Sequence, residues 1–152
     1  MWYNKEMEIQ STQEMTELGR KLGEKMATPA AIELIGDVGV GKTTFTQGLA
    51  EGLGIDEEIN SPSFTISKRY ALPKGGELVH YDFYRLNDAG IMRDELAETL
   101  AGENNVVIVE WAGGVADLLG DRVVKINISL QEDSSRLVEI SDPNHFLMNN
   151  GR

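Results

Sequence analysis

The chain has 152 residues, 41% of them hydrophobic and 26% charged. That length fits one compact domain with its own core and leaves no room for a second catalytic domain, and the composition is that of a globular rather than a disordered or fibrous protein. Cysteine is absent, which excludes disulfides, Cys-ligated zinc and Cys nucleophiles and agrees with a reducing cytoplasm, and a formal net charge of −11 excludes a surface that grips nucleic acid by itself.

The first ten residues, MWYNKEMEIQ, carry no apolar stretch of the kind that marks a secretory leader. The longest apolar runs, Val106 to Val109 and Val123 to Val124, are far too short to cross a bilayer, so a soluble, cytoplasmic protein is expected. Ser11 followed three positions later by Glu14 has the form of a capping box, and Met15, Leu18, Leu22 and Met26 recur at spacings of three and four. This predicts an amphipathic helix over about 12–27, ended by Thr28-Pro29. Ala30 to Ile35 reads as a short buried strand running into a glycine-rich loop. A second helix follows from Lys42 to Leu53, stopped by Gly54.

After a turn around Asn60 to Pro62, Phe64 to Leu72 and Glu77 to Phe83 read as extended segments joined by Pro73-Lys74-Gly75-Gly76, a hairpin signal. Residues 88–101 read as helical, and Val106 to Val109 is a buried-strand run ending on Glu110. Val123 to Leu130 and Arg136 to Ser141 flank a polar turn and form a second hairpin. The order of elements predicts a three-layer α/β domain over 1–142, its sheet parallel in one part and antiparallel elsewhere, with a poorly ordered polar tail over 143–152.

Gly36-Asp37-Val38-Gly39-Val40-Gly41-Lys42-Thr43 fits the phosphate-loop pattern G-x-x-x-x-G-K-[ST], and it sits after a strand and at the head of a helix, where its mechanism requires it. Gly36, Gly39 and Gly41 let the loop point successive N–H groups at phosphate oxygens, aided by the helix N-terminus. Lys42 is expected to reach the β- and γ-phosphates of ATP or a close relative, and the Thr43 hydroxyl to ligate Mg²⁺.

Two strands end on an acid, Asp82 and Glu110, and a carboxylate opposite Thr43 is what such a loop needs to hold Mg²⁺ or its waters. Ser61-Pro62-Ser63-Phe64-Thr65 lies where many phosphate-loop proteins carry a switch segment, and reads equally as a turn that starts a strand. Arg85 can reach phosphate or pair with an acid. Trp111 is either core packing or a rigid aromatic facing a partner. His80 reads as a core histidine, because no second His or Cys lies at metal-ligand spacing, and His145 falls in the tail.

Taken together, GDVGVGKTT, SPSF, HYDFYRL and VIVEWA resemble the TsaE family, once called YjeE, over roughly residues 11–140. The resemblance implies a P-loop NTPase-like fold and an ATPase needed to make the threonylcarbamoyl modification of adenosine 37 in tRNA. It implies action through a TsaB–TsaD complex, with tRNA met only indirectly. Position by position it implies Gly39, Gly41, Lys42, Thr43 and Thr44 on nucleotide, Thr43 and Asp82 at Mg²⁺, and Glu110 as the acid needed for hydrolysis, either activating water or ordering the Mg²⁺ shell. Ser63 stands where relatives usually carry Thr, Met15 where they often carry a Thr near the base, and Trp111 as the aromatic beside the acid.

Two other readings share the loop. A small kinase would pass phosphate to an acceptor in place of water, but the chain shows no Arg-rich lid insertion. A non-catalytic switch would select partners by its nucleotide state.

Overall fold

The computed structural model describes residues 3–62, 65–86 and 88–144. Seven strands form one sheet in the order β1-β7-β6-β2-β5-β4-β3. They are β1 (Tyr3–Ile9), β2 (Ala30–Ile35), β3 (Ser67–Ala71), β4 (Glu77–Asp82), β5 (Val106–Glu110), β6 (Val124–Leu130) and β7 (Arg136–Asp142). The central strands β6, β2, β5 and β4 run parallel, and β1, β7 and β3 pair antiparallel at the two sides. This is the mixed α/β sheet with antiparallel hairpins that the sequence predicts.

One face of the sheet is covered by α1 (Thr12–Lys25) and α2 (Lys42–Gly52). Their buried side chains, among them Leu18, Leu22, Phe45 and Leu49, pack on Ile32, Leu34, Val106, Ile108, Ile126 and Val138. Ser11 caps α1 by accepting a hydrogen bond from the Glu14 N–H at 3.1 Å, as expected, while the helix ends at Lys25 rather than near residue 27. The two helices touch backbone to backbone. A methyl group placed on Gly48 would stand 2.1 Å from the carbonyl oxygen of Thr16, and one on Gly19 2.3 Å from that of Phe45.

On the other face, α3 (Arg93–Leu100) and two short 3₁₀ helices, Ala89–Met92 and Gly113–Leu119, cover β4 and β5 through Val79, Tyr81, Leu96, Val107, Val109 and Val115. This layer stops there. On β6 and β7 the outward residues Lys125, Asn127, Ser129 and Glu139 are exposed, as are Asn4, Glu6 and Glu8 of β1. Among the described residues no helix is long and apolar enough to cross a membrane.

Several boundaries differ from the sequence expectation. Strand β1 is not anticipated there, although Met7 and Ile9 point to the α1 side and Glu6 and Glu8 away in the alternation that marks a half-covered strand. The Gly113–Leu119 helix is likewise unforeseen. Strand β3 starts at Ser67 rather than Phe64; Ser63 and Phe64 lie outside the described residues, as does Asn87. Of the expected tail, Asn144 is fixed by donating from Nδ2 to the Arg122 carbonyl at 2.8 Å, and 145–152, with His145, lie outside the described residues.

Candidate functional site

The parallel strands β2, β4 and β5 present their carboxyl ends on one side of the sheet, and the loop from Gly36 to Gly41 leaves β2 there to start α2. Gly41, at φ 118°, is the N-cap of α2 and offers no side-chain cap, so the first-turn N–H groups of the helix face a ligand site instead of a side chain. Gly39, at φ 87°, has open space where a Cβ would project. Gly36 is required for a different reason, since a Cβ there would lie 2.6 Å from the carbonyl oxygen of Ile128 on β6.

A cavity of about 450 Å³ opens over this helix terminus, and Val38, Gly39, Gly41, Lys42, Thr43 and Thr44 line it from the loop. Asp82, Glu110, Trp111, Arg85 and Ser61 close it from the facing strands and turns. Three loop residues expected on nucleotide lie elsewhere. Gly36 and Asp37 line a neighbouring groove, and Val40 is buried in the core beneath α1. A further cavity of about 320 Å³, lined by Gln10, Ser11, Thr12 and Met15, adjoins the loop at Gly41 and Thr44.

Lys42 is buried, and its ammonium is held at three points. Nζ donates to the Gly36 carbonyl at 2.5 Å, lies 3.4 Å from Glu110 Oε1 and sits 4.9 Å from the centre of the Trp111 ring. Trp111 adopts φ 57°, a left-handed conformation costly for a bulky residue, and packs against Tyr84 with ring centres 4.9 Å apart. The Thr43 hydroxyl is 2.6 Å from that of Ser61.

Glu110 is 3% exposed. Burial pushes its carboxyl up, but the hydrogen bond and charge of His80, followed by the charge of Lys42, outweigh it, and the net effect holds Glu110 below the usual carboxylate range. His80 Nε2 lies 2.7 Å from Glu110 Oε2. The expected burial of His80 is therefore found, but its partner was missed. The signal was present: His80 precedes Asp82 by two positions on one strand, so both point to the same face as Ile108 and Glu110 of β5. Of the expected switch segment Ser61 to Thr65, Ser61 is the residue whose hydroxyl meets Thr43, and the candidate Ser63 lies outside the described residues.

Among the described residues no three His, Cys, Asp or Glu side chains cluster closely enough to hold a metal unaided. The donor set of Thr43, Asp82 and Glu110 beside an open helix terminus instead suits a hard, oxygen-seeking cation that shares its shell with phosphate and water, which is the behaviour of Mg²⁺.

Comparison with known proteins gives one answer. Residues 9–138 match the family model described as Threonylcarbamoyl adenosine biosynthesis protein TsaE. The chain is 39% identical over 111 residues to the tRNA threonylcarbamoyladenosine biosynthesis protein TsaE of Streptomyces coelicolor, covering 72% of this chain and 75% of that one. To the Bacillus subtilis protein of the same name it is 39% identical over 127 residues, covering 81% and 77%. The crystal structure of Bacillus subtilis YdiB superposes with a TM-score of 0.71 at 32% identity, covering 97% of this chain and 92% of that one. With the family model spanning most of the chain and relatives this similar over most of both lengths, the chain belongs to the TsaE family of threonylcarbamoyl adenosine biosynthesis proteins.

Proposed function

We propose that the protein is a Mg²⁺-dependent ATPase that supports formation of N6-threonylcarbamoyladenosine at position 37 of tRNA through a TsaB–TsaD complex. The observation that carries this reading is the convergence of Lys42, Thr43, Asp82 and Glu110 on one cavity at the head of α2. ATP would lay its phosphates along the N–H groups of Gly39, Gly41, Lys42, Thr43 and Thr44, with Lys42 leaving the Gly36 carbonyl for the β- and γ-phosphates. The cavity beside Met15 would receive the base. Mg²⁺, held by Thr43 and Asp82 with Glu110 close by, would neutralise charge on the transferring phosphate.

Glu110 is ionised at neutral pH, since its pKa lies below the usual carboxylate value. It is therefore able to orient the attacking water or take its proton as the water oxygen bonds to the γ-phosphorus and the bond to ADP breaks. Trp111, 40% exposed, and Tyr84, 55% exposed, form the rim that a partner protein would meet. The net charge of −11 leaves the gripping of tRNA to other subunits.

The test is ATP hydrolysis with Mg²⁺ by the purified protein, alone and with TsaB and TsaD of its own source, for wild type and Glu110→Ala. Slow turnover that rises with both partners and disappears in the variant is the expected result. Turnover indifferent to the partners would refute the assigned role.

A further inference from the structure

We infer that His80 is a positioning residue for Glu110, fixing the carboxylate so that Oε1 faces Lys42 and the nucleotide cavity. This rests on the reading of Glu110 as the acid of ATP hydrolysis. The torsion that turns a glutamate carboxylate is broad, so burial alone does not choose the plane in which its two equivalent oxygens lie. Here the choice is made by two different partners: His80 Nε2 holds Oε2 at 2.7 Å, and Lys42 Nζ stands 3.4 Å from Oε1.

Core packing does not account for His80. Its side chain is fully buried on β4, and its Nδ1 has no hydrogen-bond partner among the described residues, a cost that an apolar residue of similar size would not incur. An ionised carboxylate only accepts, so this contact requires a proton on Nε2, donated to Oε2. The imidazole thus turns a donor on the acid, and its place in the β4–β5 register sets where that donor points.

The experiment compares wild type, His80→Phe and His80→Gln in MgATP hydrolysis with TsaB and TsaD, together with NMR of the histidine ring protons in the full chain. The chain has two histidines, which makes the assignment direct. His80→Phe is expected to lower kcat about 10- to 100-fold, the usual cost of removing an orienting partner, with KM for ATP unchanged. His80→Gln, which can still present an N–H to Oε2, is expected to recover most of that loss.

Wild-type kcat in His80→Phe, or no recovery in His80→Gln, overturns the inference. Should His80→Phe fail to fold, the Gln variant and the spectrum decide. A slowly exchanging His80 Nε2 proton that is lost in Glu110→Ala supports the bond, and absence of that proton in the wild type refutes it. No turnover by the wild type would instead remove the ATPase reading, with the same proton still deciding whether His80 holds Glu110.

Discussion

Asp82 and Glu110 are the last register partners of the parallel β4–β5 pair, so two carboxylates stand side by side at neighbouring strand ends. Their surroundings differ. Glu110 is buried between His80 and Lys42, whereas Asp82 is partly exposed and accepts a hydrogen bond from the Tyr84 N–H at 3.0 Å. Replacement of Asp82 by Ala is therefore expected to leave nucleotide binding in EDTA intact and to abolish the gain in affinity that Mg²⁺ brings. Calorimetric titration with a non-hydrolysable ATP analogue measures both; a Mg²⁺ response equal to that of wild type would remove Asp82 from the metal site.

The contact between α1 and α2 makes a second prediction. Helix propensity alone favours Ala over Gly by about 1 kcal/mol. At Gly48, however, the new methyl would meet the backbone of Thr16 at 2.1 Å, and no rotamer change relieves a clash with main chain. Gly48→Ala should therefore lower the free energy of unfolding by roughly 1–3 kcal/mol, the range for overpacked cores. Gly114→Ala, where nothing lies within 4 Å of the added carbon, should stay within about 0.5 kcal/mol of wild type. Urea denaturation of the two variants distinguishes them, and equal stability would show that the helices separate freely.

Lys42 and Trp111 supply an optical readout. The ammonium lies 4.9 Å from the indole centre, and phosphate would draw it away. In a Trp2→Phe background, MgATP should change the emission of Trp111, and Lys42→Ala should remove most of that response. Emission that ignores saturating nucleotide would show that Lys42 stays where it is.

The Arg93–Asp117 bridge, 2.9 Å between Nη2 and Oδ2, ties the start of α3 to the Gly113–Leu119 helix. Its hydrogen bond first, and then the Arg93 charge, hold Asp117 below the usual carboxylate range. A carboxyl depressed in the folded state adds stability above its unfolded pKa and loses it as pH falls through the folded value. Asp117→Asn should thus lower the urea midpoint at neutral pH and converge with wild type as pH falls through the folded value, with salt shrinking the neutral-pH difference because both groups are exposed. A difference that persists in acid would assign the effect to packing.

The phosphate loop, its two flanking elements and both strand-end acids were legible in sequence because each is written locally, in consecutive residues or in a run that ends on a charge. What escaped was set by pairing at a distance. Strand β1 takes its place only by lying beside β7, from Tyr3 against Asp142 to Ile9 against Arg136, and its own residues carry a weak alternation. The bond from His80 to Glu110 spans thirty positions, and the Thr43–Ser61 contact eighteen. By propensity alone Gly19 and Gly23 of α1 and Gly48 and Gly52 of α2 only weaken their helices, and their role shows in the backbones they bring together.

The incomplete second layer grades the sheet from one side to the other. Strands β4 and β5 are sealed on both faces, while β6, β7 and β1 meet water on one of theirs, and the edge strands β1 and β3 each have a neighbour on one side alone. Amides should therefore open most readily at β1 and least readily in β5, as local unfolding follows the density of buried contacts. The loop and the two acids hang from the slow end of that gradient. As denaturant rises, the molecule should fray from its far edge inward, leaving the phosphate cradle among the last parts to come apart.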